Sequence, residues 1–99
     1  MNDAARKVMI IGHRGCAAEA PENTLASIRR AWDQQADAVE IDVHLTRDGV
    51  IVAHHDATTR KTAGVDRSIL DQTLEELKKH DVGRWKDASF SGERIPTLA

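Results

Sequence analysis

Hydrophobic and polar positions along the chain alternate between short apolar runs and one clearly amphipathic stretch. Val8-Met9-Ile10-Ile11 is an apolar run closed by Gly12, the pattern of a strand buried on both faces in a parallel sheet. Leu25, Ile28 and Trp32 then recur at spacings of three and four, with Ala31 beside them and Arg29, Arg30, Asp33 and Gln34 opposite. That stripe predicts a helix of three to four turns, opening at Pro21-Glu22 and ending near Gln35-Ala36-Asp37. On this reading Trp32 packs in the core and Glu22 sits at the positive end of the helix dipole.

The segment Ala38 to Asp56 reads as two short apolar strands joined by a tight Asp48-Gly49 turn. Strand, helix and strand make a βαβ unit with a right-handed crossover. The connection from Asp42 to Val50 is too short for a helix, so strict β–α alternation breaks here. The direction of Val50–Ala53, antiparallel to the preceding strand or the start of a parallel one, is left open.

Ala57 to Ser68 is a polar stretch that reads as a loop, of a length often found covering a site. Thr73-Leu74-Glu75-Glu76 matches a capping box, with Leu74 and Leu77 as the helix's apolar contacts and a stop before Gly83. Gly83 to Arg94 reads as a loop anchored by Trp85 and Phe90. Ile95-Pro96-Thr97-Leu98-Ala99 has the pattern of a helix start with Thr97 as N-cap. A cap with no helix after it predicts a sequence that stops short of a finished domain.

Composition narrows the function classes. Lys plus Arg number 14 against 16 Asp plus Glu in 99 residues, giving a net charge of −2. Such a balance excludes the basic face of a nucleic-acid binder. No apolar run is long enough to be a transmembrane segment. Residues 1–7 form a polar segment without the apolar core of a secretory signal. A single cysteine, Cys16, fits a reducing compartment and points to the cytoplasm.

Candidate chemistry gathers at the strand ends. His13 and Arg14 follow the first strand, where α/β folds place their reactive groups. Glu40 and Asp42 are two apart, on one face of a strand. The turn would bring His55 back roughly opposite them, and alternation admits only one of His54 and His55. Two carboxylates with an imidazole suggest a hard-metal site with an acid/base beside it. Taken singly, His13-Arg14 or His55 equally fits a solvent-exposed loop, and His44 and His80 read as surface residues.

Taken together, His13-Arg14-Gly15, Ala20-Pro21-Glu22-Asn23-Thr24, Glu40-Ile41-Asp42-Val43, Thr46-Arg47-Asp48-Gly49 and His55-Asp56 resemble the glycerophosphodiester phosphodiesterase family, in order and spacing. Ile95-Pro96-Thr97-Leu98 matches the segment leading into that family's next helix. Two positions depart from the family pattern, Gln35 for a frequent glycine and Cys16 for another small residue. The resemblance implies the N-terminal portion of an α/β fold, a TIM-type (β/α) barrel, spanning residues 8–99 with a β-hairpin between the second and third strands and ending before barrel closure. It further implies Glu40 and Asp42 as ligands of one divalent cation, Mg²⁺ or Ca²⁺. His13 and His55 would be the acid/base pair, and Arg14 would hold the substrate phosphate. A third acidic ligand and a lysine are implied beyond Ala99. The implied reaction converts a small glycerophosphodiester to sn-glycerol 3-phosphate and an alcohol, in lipid and glycerol metabolism. Pro21-Glu22-Asn23-Thr24 argues against a phospholipase-type phosphodiesterase. The remaining alternative is an inactive half-barrel that self-associates through its open strand edges.

Overall fold

The computed structural model describes residues 9–98. The polar segment 1–7, Val8 of the predicted first strand and Ala99 lie outside the described residues.

The βαβ unit is present. β1 (Ile11–His13) and β2 (Ala38–Glu40) are parallel, with His13 opposite Glu40 in register. The predicted burial of the first strand is not observed: Met9, Ile10 and Ile11 are 63, 59 and 56% exposed. Among the described residues β1 has β2 as its one strand neighbour, and Ile10 and Ile11 line an open hollow beside α1.

The connecting helix is shorter than its periodicity predicts. α1 covers Leu25–Asp33, not Pro21 to Asp37. Asn23 has a left-handed backbone, φ +56°, which a right-handed helix cannot include. Thr24 is the extended N-cap, forming a capping box with Ser27. At the other end Gln35, at φ +64°, stops the helix. Its inner stripe is also rotated. Ser27 and Ala31 are buried, while Leu25 and Trp32 are each 48% exposed, so Trp32 is not a core residue. The reason is close approach: a Cβ on Gly12 would press on Ala31 Cβ, and one on Gly15 would overlap Ser27 Oγ. Small side chains on the helix face glycines on β1 and its loop, and larger ones are turned outward.

The open strand direction is settled as antiparallel. β3 (Val43–Leu45) and β4 (Ile51–Ala53) form a hairpin pairing Val43 with Ala53 and Leu45 with Ile51. The turn carries Gly49 at φ +81° and a Thr46 hydroxyl donating to Asp48 Oδ1 at 2.6 Å.

The predicted loop 57–68 is structured. It holds β5 (Thr58–Thr59), α2 (Arg60–Ala63) and β6 (Val65–Ser68), with β5 and β6 antiparallel. Its polar composition hid this because its buried groups satisfy one another: Thr59 donates to the Val65 carbonyl and accepts from Gln72 Nε2. α3 (Leu74–Lys78) opens with the predicted Thr73–Glu76 capping box. The core lies in this half: Val52, Ile69, Leu77, Val82 and Ile95, flanked by Val50, Ala63 and Leu74. The predicted helix start at the end of the chain is instead extended. Thr97 bridges Val52 antiparallel, and Ala53 N–H donates to the Pro96 carbonyl at 2.9 Å.

Candidate active site

Parallel register places two side chains together at the carboxyl ends of β1 and β2. His13 Nε2 lies 3.3 Å from Glu40 Oε1, both exposed. The next residue, Arg14, turns back with φ +52° and reaches Asp42, its Nε 3.3 Å from Oδ2. That contact is one of charge, since the buried Nε has no aligned hydrogen-bond acceptor.

Glu40 and Asp42 do not share a continuous strand. β2 ends at Glu40 and β3 begins at Val43, so strand alternation does not govern their orientation. Asp42 is held by Asn23, whose Oδ1 accepts from Asp42 N–H at 2.9 Å while its Nδ2 donates to Asp42 Oδ2 at 3.2 Å. His55 is bonded to neither carboxylate. Its Nδ1 lies 2.7 Å from Asp56 Oδ1, which holds the Asp56 carboxyl below its ordinary range. The link from hairpin to acids runs through backbone, His54 N–H donating to the Asp42 carbonyl at 2.9 Å.

His54 faces the other way and is buried. The Asp56 carbonyl can only accept, so His54 Nδ1 carries the proton. Nε2 then accepts from the Thr62 hydroxyl at 2.8 Å, tying β4 to α2. Burial pushes the imidazole below its ordinary pKa.

Glu22, Asn23 and Lys61 belong to this neighbourhood and were not among the candidates. Glu22 is not in a helix. Its carboxylate, 9% exposed, is shared between Arg14 Nη1 at 3.4 Å and Lys61 Nζ at 3.1 Å. The available signal was the Pro21-Glu22-Asn23-Thr24 element itself, since Asn tolerates the left-handed turn that aims both side chains inward.

Glu40 and Asp42 offer the oxygen donors that a hard divalent cation takes. They fit it in kind and fall short in number. Among the described residues, no group of three or more His, Cys, Asp or Glu side chains is gathered to hold a metal.

The fold places the chain among known proteins. It superposes on an Oleispira antarctica phosphodiesterase solved in complex with the product sn-glycerol-3-phosphate, with a TM-score of 0.90, 44% identity, 95% of this chain and 38% of that one. A glycerophosphodiester phosphodiesterase from Agrobacterium tumefaciens gives 0.90 and 36% identity, covering 93% of this chain and 40% of that one. The architecture is therefore the N-terminal part of a TIM-type barrel. Among curated relatives, the glycerophosphodiester phosphodiesterase of Caldanaerobacter subterraneus is 47% identical over 92 residues, 93% of this chain and 38% of that protein. Glycerophosphodiester phosphodiesterase 1 of Rattus norvegicus is 42% identical over 95 residues, 93% of this chain and 28% of that protein. The pattern of the glycerophosphoryl diester phosphodiesterase family matches residues 13–99, and the chain belongs to that family. It spans between 28 and 40% of the length of those relatives.

Proposed function

We propose that this chain supplies part of the active site of a metal-dependent phosphodiesterase that converts glycerophosphodiesters to sn-glycerol 3-phosphate and an alcohol. The observation that carries the reading is the pairing of His13 with Glu40 and of Arg14 with Asp42 at adjacent strand ends. Arg14 offers a planar fork of donors to a phosphate, and binding substrate exchanges its carboxylate contacts for phosphoryl oxygens. Of the two imidazoles, His13 and His55, one takes a proton from the attacking water. The other returns one to the alkoxide as the P–O bond breaks. Glu40 and Asp42 would hold a divalent cation, Mg²⁺ or Ca²⁺, and a bound cation there would neutralise charge on the phosphoryl oxygens.

The test is release of sn-glycerol 3-phosphate from glycerophosphocholine by this chain joined to the C-terminal remainder of the Oleispira antarctica relative. Release is expected to need added Mg²⁺ or Ca²⁺ and to fall by about 100-fold or more in His13→Ala. Turnover that persists in excess chelator, or survives His13→Ala, overturns the reading.

A second reading concerns the chain by itself. Met9, Ile10 and Ile11 stand exposed beside a hollow of about 340 Å³ whose lining includes Ile10, Ile11, Ala17 and Ala31. This favours a half-barrel that associates with its own copies and turns over little substrate alone.

A further inference from the structure

A second hollow, of about 330 Å³, lies against α2 and is lined by Arg60, Lys61, Arg84, Trp85 and Asp81, among others. That volume is at the small end for ligand sites and suits one compact polar group. Its walls carry three cations. Neither Arg60 nor Arg84 has a carboxylate within ion-pair distance among the described residues, and Arg84 Nη2 donates to the neutral Ser91 hydroxyl at 3.0 Å. Lys61 shares the Glu22 carboxylate with Arg14, which is also in contact with Asp42. Lys61 also lies in the field of Asp56, whose carboxylate is engaged by His55.

The one acid in the lining does not offset this charge by pairing with it. Asp81 accepts from the backbone N–H groups of Gly83, Arg84 and Gly92 and from the Ser91 hydroxyl, which hold its carboxyl far below the ordinary range. It serves as the staple of the loop that presents Arg84 and Trp85. Trp85 donates its indole N–H to the Val82 carbonyl at 2.8 Å and holds Lys61 Nζ 4.8 Å from its ring centre. The ring is thus anchored by a hydrogen bond, with a cation stacked on its face.

Lys61 links this hollow to the candidate active site, because the carboxylate it contacts is the one that contacts Arg14. Building on the diesterase reading, we propose that the hollow is a second anion subsite. It would receive a phosphate or carboxylate carried on the alcohol part of the diester while Arg14 holds the scissile phosphate. Substrates with an anionic alcohol would then be favoured over those with a cationic one.

The experiment uses the 99-residue chain and reads its two indole N–H resonances, with Trp32 as the reference. Glycerophosphoinositol 4-phosphate and glycerophosphocholine are titrated separately. The former is expected to shift the Trp85 indole saturably and to bind about tenfold more weakly to Arg60→Ala/Arg84→Ala. Binding of glycerophosphocholine should be unchanged in that variant, while Arg14→Ala weakens both. If Arg14→Ala weakens both diesters but the double variant weakens neither, the subsite is overturned and the diesterase reading stands. Binding of neither diester overturns both. If the double variant loses only co-sedimentation with vesicles of anionic phospholipid, the patch is a membrane contact and the subsite is overturned.

Discussion

Asn23 concentrates three demands in one residue. It is 2% exposed, adopts φ +56°, and forms both hydrogen bonds that fix Asp42. Asn23→Ala should lower the unfolding free energy by about 2–4 kcal/mol, from the part-buried Asp42 N–H left unpaired and a Cβ residue held left-handed. Asn23→Gly keeps the backbone freedom and should lose visibly less, and equal losses in denaturant titrations would remove the conformational part of this account. His54 makes the second residue-scale prediction. Burial lowers its proton affinity in the folded state, whereas the unfolded chain regains a pKa near ~6.5. The unfolded state therefore takes the proton first, and stability that is full above about pH 7 falls as the pH drops through that value. His80, lowered chiefly by burial, acts in the same window. Glu76, pushed down to about 2 chiefly by the Thr73 N–H and Arg67, contributes stability lost only below its ordinary 4.5. The urea midpoint should thus decline between pH 7.5 and 5.5, less steeply in His54→Gln; a midpoint that rises on acidification contradicts the assignment.

At the scale of elements, the packing of α1 on β1 depends on Gly15, which is left-handed at φ +82° and pressed against Ser27. Gly49 has nearly the same φ but open space around it. Gly49→Ala should therefore cost about 1–2 kcal/mol of backbone strain alone. Gly15→Ala carries that strain and the overlap with α1, and should cost about 1–3 kcal/mol more. Matching melting shifts for the two variants would show that the helix yields freely. These glycines also mark where the sequence stopped being legible. The parallel βαβ pair and the Thr73 capping box were readable, because each rests on a local pattern of a few residues. The rotation of α1 was not, because periodicity weights large apolar residues, and here Ser27 and Ala31 face inward against glycine. The segment 57–68 was missed for a related reason: Thr59, Thr62 and Gln72 are polar, yet they are buried, Thr59 bonded to Gln72 and Thr62 to His54. In the site, the approach of His13 to Glu40 followed from parallel strands ending on one edge. The sharing of Glu22 between Arg14 and Lys61 joins residues 39 apart in sequence and has no local signature.

Considered whole, the chain spreads rather than closes. Its principal extents are 50 × 30 × 18 Å, and among the described residues its strands form three separate two-stranded sheets. Its buried apolar cluster draws mainly on residues 50–95, which leaves the β1–α1–β2 unit with little core of its own. Ile11 on β1, Val43 and Leu45 on β3 and Ile51 on β4 are all exposed. Edge strands with unpaired backbone groups and uncovered apolar side chains favour pairing with another chain. At a net charge of only −2, repulsion between copies is a weak counterforce. Sedimentation velocity on the isolated chain should therefore show species larger than one chain that grow with protein concentration. Ile11→Lys and Leu45→Lys, each placing a charge on an exposed strand position, should shift the distribution toward the single chain. Neither substitution touches the buried cluster, so both variants should keep their far-UV circular dichroism. A single sedimenting species of one chain at every concentration, or aggregation unmoved by either lysine, would show that these strand faces do not drive association.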